Sequence, residues 1–403
     1  MSIPIQMTNA DATPNKRKRE FVTDKVKNIP FSGIRKFFDV ASEMEDVISL
    51  GVGEPDFDTP WSVRDEAIYN LEHGRTIYSS NAGLPELRQE ISRYLNRRYG
   101  LCYDPKSQII VTVGASEGID IALRALIEPG DEVLVQEPCF VSYRPCVMLA
   151  GGTPVTLQTK AENEFRLTPE ALLEAITDKT KVLLISYPNN PTGAIMERHD
   201  LQKLVDVLKD RDIAVISDEI YSELTYGDRE HVSIASFPEM VDKTIVLNGF
   251  SKAYAMTGWR LGYAAGPPDI MSAMLKIHQY VIMCAPTTSQ YAGIEALRGC
   301  DDNVAHMRND YDARRHLMVK SLREMGMDVF EPLGAFYVFP SIARIGLTTD
   351  EFCNRILHEE RVAVVPGTAF GDCGEGFIRC SYAYSIESLK AALERIERFV
   401  SKF

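Results

Sequence analysis

The sequence predicts an α/β fold: a large domain with a mostly parallel sheet between helices, followed by a smaller α+β domain. Three observations lead there. Short apolar runs without strict alternation recur from residue 109 to residue 265, with helix-period stretches between several of them. After Pro286 the pattern changes to a long helical stretch followed by shorter apolar runs. At 403 residues, the chain is too long for one small core, so a large and a smaller domain are the prior.

Residues 1–30 are polar and read as a mobile N-terminal arm. Residues 31–50 read as the N-terminal segment of the small domain, 51–290 as the large domain and 291–403 as the small C-terminal domain. In the large domain, 109–113 reads as a strand, ended by Gly114 and followed by a helix over 116–126. Further strands are predicted at 132–135, 181–186, 213–217, 244–247 and 261–265, where β-branched and aliphatic residues dominate, with a helix over 199–208. Beyond Pro286, helical periodicity covers 304–325. Apolar runs follow at 328–330 and 335–339, then a helix over 349–358, short strands at 362–364 and 377–379, and a last helix over 386–400.

Composition narrows the function classes. Acidic residues outnumber basic ones, 57 to 44, for a formal charge of −13. That balance argues against nucleic acid and acidic membranes as partners. The cluster Lys16, Arg17, Lys18, Arg19 is the local exception, and composition makes it a solvated arm. Eight cysteines lie scattered without a Cys-x-x-Cys pair, and the seven histidines include no His-Glu-x-x-His, so neither a metal site nor a disulfide framework is expected. Free thiols suit a reducing cytoplasm. No apolar run approaches the roughly 18 residues of a membrane span.

The chemistry gathers where strands end. Lys252 sits in a small-residue turn just after the apolar run 244–247, with Ser251 beside it and Arg260 eight positions on. An amine that condenses with an aldehyde, next to a hydroxyl and a guanidinium, suits a cofactor bearing an aldehyde and a phosphate, which is pyridoxal 5′-phosphate. Gly114, Ala115 and Ser116 feed a helix N-terminus, whose N–H groups favour an anion. Asn190 follows one predicted strand and Asp218 ends another, the end of an open α/β sheet where ligands collect. Taken singly, these residues admit plainer readings: Lys252 a surface charge, Asp218 a helix N-cap, Asn190 a turn residue, Phe140 and Tyr221 core aromatics, Tyr78 a loop aromatic, Arg379 a surface ion pair, Gly53 a turn glycine.

Taken together they resemble a family. Asn-Pro-Thr-Gly at 190–193, Ser217-Asp218-Glu219-Ile220-Tyr221, Ser251-Lys252, Arg260 and Arg379 are similar in order and spacing to the class I/II, fold-type I pyridoxal-phosphate-dependent aminotransferases. The resemblance runs from about Ser32 to the C-terminus. It is nearest the bacterial and archaeal aspartate, aromatic and N-acetyl-diaminopimelate aminotransferases, with 32–37 and 53–57 resembling that subgroup's substrate-closing segment. It implies a seven-stranded, mostly parallel sheet in the large domain, pyridoxal phosphate as cofactor, and amino acids and 2-oxo acids as substrates. It also implies a ping-pong reaction with 2-oxoglutarate as the shared acceptor, and a homodimer with composite active sites.

Residue by residue, the resemblance makes Lys252 the amine that condenses with the cofactor and then moves the substrate proton. Asp218 pairs with the pyridine nitrogen, Tyr221 and Asn190 bond the ring oxygen, and Phe140 stacks on the ring. Ser251, Arg260 and the N–H groups of Ala115 and Ser116 hold the phosphate, joined by Tyr78 from the partner subunit. Arg379, with Gly53 and Asn190, grips the substrate α-carboxylate. Some aspartate aminotransferases of the subgroup carry lysine where Ser116 stands, which shifts weight toward aromatic or N-acylated donors. A β-eliminating C–S lyase would use the same Lys252 and Asp218, so the motifs leave it open. A non-enzymatic regulator would need a fused DNA-binding module, and about 30 residues before the family-like region are too few for one.

Overall fold

The computed structural model describes residues 21–31 and 44–403. The basic cluster at 16–19 and the closing-segment motif at 32–37 lie outside the described residues.

A seven-stranded sheet forms the large domain. Its strands are β2 (Ile109–Thr112), β3 (Glu132–Glu137), β4 (Thr153–Gln158), β5 (Thr180–Ser186), β6 (Ala214–Asp218), β7 (Thr244–Gly249) and β8 (Gly262–Ala265), in the spatial order β2-β8-β7-β6-β5-β3-β4. β8 pairs antiparallel with β2 and with β7, while the pairs from β7 across to β4 are parallel. Both faces are buried, which explains why most of these strands read as continuous apolar runs. Val133, Val135, Leu184, Ile216 and Ile245 pack with Ile119, Ala122 and Leu123 of the helix Gly114–Leu126. Leu134, Leu183 and Val215 point the other way, onto Leu201, Leu204, Val205 and Leu208 of the helix Arg198–Leu208. Each such aliphatic side chain contributes about 1.5–3 kcal/mol by leaving water.

The predicted strands and helices appear with their ends shifted by a few residues, while the strands at 48–49 and 153–158 have no counterpart among the predicted ones. β4 is an edge strand that alternates exposed, half-buried and buried positions and contains Pro154. Its polar outer positions and the preceding Gly151 and Gly152 make it look like a loop in sequence. The run at 362–364 yields β10 (Val362–Ala363), and after Val364 a second short strand follows, β11 (Val365–Pro366). β10 pairs in parallel with β1 (Ile48–Ser49), and β11 runs beside β12 (Ile378–Ser381), which also flanks β9 (Tyr337–Val338).

These short strands pack on the helices Asp301–Glu324, Thr349–Glu360 and Ile386–Val400 through Met318, Leu322, Phe352, Ile356, Leu393 and Ile396. The same core takes in Leu50, Tyr221, Leu224 and Tyr226, so it reaches under the loop that leaves β6. Residue 290 lies within the helix Thr287–Gly299, whose Ala292 and Leu297 share a core with Val246 and Phe250. Among the described residues, no helix is long and apolar enough to cross a membrane.

Candidate active site

Strand order reverses between β3 and β5, and the carboxyl ends around that point open into a cavity of about 420 Å³. Gly53, Ala115, Ser116, Phe140, Asn190 and Asp218 line it, together with Tyr221, Ser251, Lys252, Arg260 and Arg379. Of the residues singled out in the sequence, only Tyr78 stands elsewhere, with 77% of its surface exposed. The cavity walls also include Tyr143, Tyr337 and Glu54, which the sequence did not single out for a role.

Asp218 closes β6 and is buried. Its Oδ2 accepts from the Tyr143 hydroxyl at 2.7 Å and its Oδ1 from the Ile220 N–H at 3.2 Å. Burial pushes its carboxyl up to about 6, against the opposing pull of those two hydrogen bonds. Phe140, just beyond β3, meets Tyr143 edge to face at 5.7 Å.

Lys252 follows β7. Its ammonium donates to the carbonyl of Gly53 and lies 5.8 Å from the centre of the Tyr221 ring. Burial lowers it to about 8; the Glu54 carboxylate works against that shift, while Arg379 and Arg260 add to it. A lysine so placed is partly neutral near physiological pH, the state needed for attack on an aldehyde.

One end of the cavity is built from the start of the helix Gly114–Leu126. No side chain caps it from the N-cap position, while Glu117 bonds the Val113 N–H from within the first turn. Arg260 comes close because glycine stands opposite: a Cβ on Gly114 would meet Arg260 Nη2 at 2.7 Å, and one on Gly262 would meet the Ala115 nitrogen at 2.6 Å. Arg260 itself holds a left-handed backbone with φ of 52°, a conformation that costs a non-glycine residue energy and is kept where the surroundings fix it. An exposed helix N-terminus, a serine and an arginine together suit a phosphate dianion.

At the opposite side, Arg379 on β12 is buried. Nη1 donates to Asn190 Oδ1 at 2.8 Å and Nη2 to the carbonyl of Gly51, while Nε has no partner among the described residues. The guanidinium lies 4.4 Å from the centre of the Tyr337 ring. Tyr337 shares a 2.8 Å hydrogen bond with Tyr221. A Cβ on Gly53 would come within 2.4 Å of the Tyr337 oxygen, so the close approach requires glycine there. Tyr143 lies three residues beyond Phe140, and Tyr337 within the apolar run 335–339, so neither carries a signal in sequence of its hydroxyl's partner.

The donor set fits pyridoxal phosphate: an amine, a buried carboxylate, an aromatic wall, hydroxyls and an anion cradle at one cavity. Comparison with known proteins agrees. The family model described as aminotransferase class I and II matches residues 45–396. An aspartate aminotransferase of Pyrococcus abyssi is 47% identical over 94% of this chain and 97% of its own length. The crystal structure of an aromatic aminotransferase from Pyrococcus horikoshii superposes with a TM-score of 0.87 at 46% identity, covering 91% of this chain and 99% of that one. The aspartate aminotransferase of Thermus thermophilus with maleate gives a TM-score of 0.90 at 37% identity, covering 94% and 100%. A lysine, an aspartate and two arginines brought from distant strands to one cavity, with a family match over most of the chain, place this protein in the class I and II aminotransferases, pyridoxal-phosphate-dependent enzymes that exchange an amino group between amino acids and 2-oxo acids.

Proposed function

We propose that Lys252 is the reacting amine and proton carrier, with Asp218 the partner of the pyridine nitrogen and Arg379 the holder of the substrate α-carboxylate. One observation carries this reading: the half-buried Lys252 shares a cavity with a buried carboxylate and a buried guanidinium whose Nε has no partner among the described residues. Bound pyridoxal phosphate supplies an electron sink for the pair released when the substrate Cα–H bond breaks. Lys252 would carry the proton between the substrate Cα and the methine carbon of the bound cofactor. Arg379 and the Gly53 N–H fix the α-carboxylate, which sets the direction of the Cα–H bond. Asn190 orients Arg379 through its 2.8 Å hydrogen bond and, with Tyr221, faces the ring oxygen. Phe140 covers the ring, and Ala115, Ser116, Ser251 and Arg260 hold the phosphate.

For the substrate, three cations line the cavity among the described residues, Lys252, Arg260 and Arg379, and each already has a role. A second carboxylate on the donor gains no further cation from this wall. Ser116, Ile119, Phe140 and Ile220 offer mainly apolar contact. This favours aromatic donors over aspartate. An N-acyl-diaminopimelate-like donor, and 2-oxoglutarate as acceptor in a ping-pong cycle, rest on the family resemblance, since each carries a second carboxylate that must be met by something other than these three cations. The same residues would serve a C–S lyase, but the relatives compared carry aminotransferase names. A half-reaction screen tests the reading: each amino acid is mixed with the loaded enzyme and the loss of the aldehyde absorption followed. Homocysteine, pyruvate and ammonia released from cystathionine without a 2-oxo acid would favour the lyase.

We also propose a cytoplasmic homodimer active in amino-acid biosynthesis. Ile77, Tyr78 and Tyr280 are 79%, 77% and 87% exposed. Thr287 Oγ1 bonds the Ile77 carbonyl and Asn81 Nδ2 bonds the Met283 carbonyl, each at 2.8 Å, which brings the two apolar segments side by side. Such a patch suits a second copy of the chain, with Tyr78 reaching the partner's phosphate site. The large domain is proposed to run from residue 51 through the helix Thr287–Gly299, and the small domain to join 44–50 with the chain that follows.

A further inference from the structure

We propose that Asp56 and Arg314 form a positioning pair that sets the substrate-carboxylate subsite relative to Lys252. This rests on the functional reading above only in taking Arg379 and Gly53 as that subsite. The pair acts through residues 51–59, none of which belongs to a helix or strand. Without a ladder of its own, this strap depends on its ties. Gly51 accepts from Arg379, and Gly53 accepts from Lys252. Glu54 Oε2 accepts from Thr257 Oγ1 at 3.2 Å, and Thr59 Oγ1 donates to the Ala255 carbonyl at 2.6 Å.

Those contacts fasten the strap to the Lys252 loop and to β12. Its middle is fastened to a different element. Arg314, on the helix Asp301–Glu324, places Nη1 2.8 Å from both carboxylate oxygens of Asp56, and Nη2 2.8 Å from Asp310 Oδ2. The guanidinium also lies 5.2 Å from the centre of the Phe57 ring. The Arg314 side chain is only 7% exposed and that of Asp56 25%, so water competes weakly for the pair. Asp56 is three residues from Gly53. The pair therefore decides how far the Gly51 and Gly53 carbonyls reach toward the two cations, and how wide a gap a carboxylate finds there. The phosphate end, with Ser251 and Arg260, has no contact with the pair and should not respond to it.

The test uses the cofactor-loaded enzyme and two readouts. Dissociation constants of 3-phenylpropionate and succinate, carboxylates that cannot react, are measured by calorimetry. The half-reaction with L-glutamate, L-aspartate and L-tyrosine separates half-saturation from limiting rate. Asp56→Asn and Arg314→Met are expected to weaken carboxylate binding and raise half-saturation about tenfold or more, as misplacement by a fraction of an ångström does. The cofactor absorption band should stay unchanged. Arg314→Lys, which keeps charge and bulk, should recover part of the loss, and Asp310→Asn should behave as wild type. Unchanged dissociation constants in Asp56→Asn and Arg314→Met would overturn the pair's role. So would loss of bound cofactor in step with a lowered thermal midpoint across all the Asp56 and Arg314 variants, the mark of a merely structural tie. Failure of the functional reading looks different: wild type that binds the carboxylates yet converts no amino acid.

Discussion

The hydroxyl of Tyr143 donates to Oδ2 of Asp218 across 2.7 Å, with both side chains buried at the wall of the cavity. This hydrogen bond opposes the burial that drives the carboxyl up to about 6. Tyr143→Phe is expected to raise that carboxyl further and to weaken pyridoxal phosphate binding. A hydrogen bond to a charged group contributes about 1.5–3 kcal/mol, so the dissociation constant should rise roughly 10- to 150-fold. Fluorescence titration of the cofactor-free variant checks this.

Lys252→Ala should abolish the visible absorption band of the purified protein and reduce turnover to background, because no other lysine among the described residues lines the cavity. Retained colour in the variant would remove Lys252 from its role.

With Lys252 lowered to about 8 by burial, the rate of reconstitution from cofactor-free protein should rise from pH 6 to pH 9 with a midpoint near 8, well below the usual 10.5. Between about 8 and 10.5 the unfolded chain holds a proton that the folded one has released. The stability of the cofactor-free protein should therefore increase with pH in that window. Asp218 has the opposite slope: between 3.8 and about 6 the folded state holds the extra proton, so stability declines as pH rises there. Thermal midpoints of wild type, Lys252→Ala and Asp218→Asn across pH 4 to 10 separate the two contributions.

Arg379→Ala should cost substrate binding and leave the cofactor in place. Removing one member of a buried, hydrogen-bonded charge contact costs about 2–5 kcal/mol, so kcat/KM should decline by roughly 30- to 5,000-fold with an unaltered absorption band. Loss of the cofactor would instead show that the arginine serves the other end of the cavity.

The sequence by itself determined the α/β class and most of the strands, because strands buried on both faces, such as those carrying Leu183, Leu184, Val215 and Ile216, must be apolar throughout. It also marked the candidate site residues, since the motifs around Lys252, Asp218, Asn190 and Arg379 are local in the chain, and all four line one cavity. β4 escaped notice because an edge strand with exposed polar positions lacks that signal. The tertiary structure alone decided the partnerships. Asp218 meets Tyr143 from 75 residues away, Arg379 meets Gly51 from 328 away, and Asp56 meets Arg314 from 258 away. Periodicity records only which face of an element is buried; which hydroxyl, carbonyl or guanidinium waits on the other side is fixed by how the sheet, the strap and the long helix pack together.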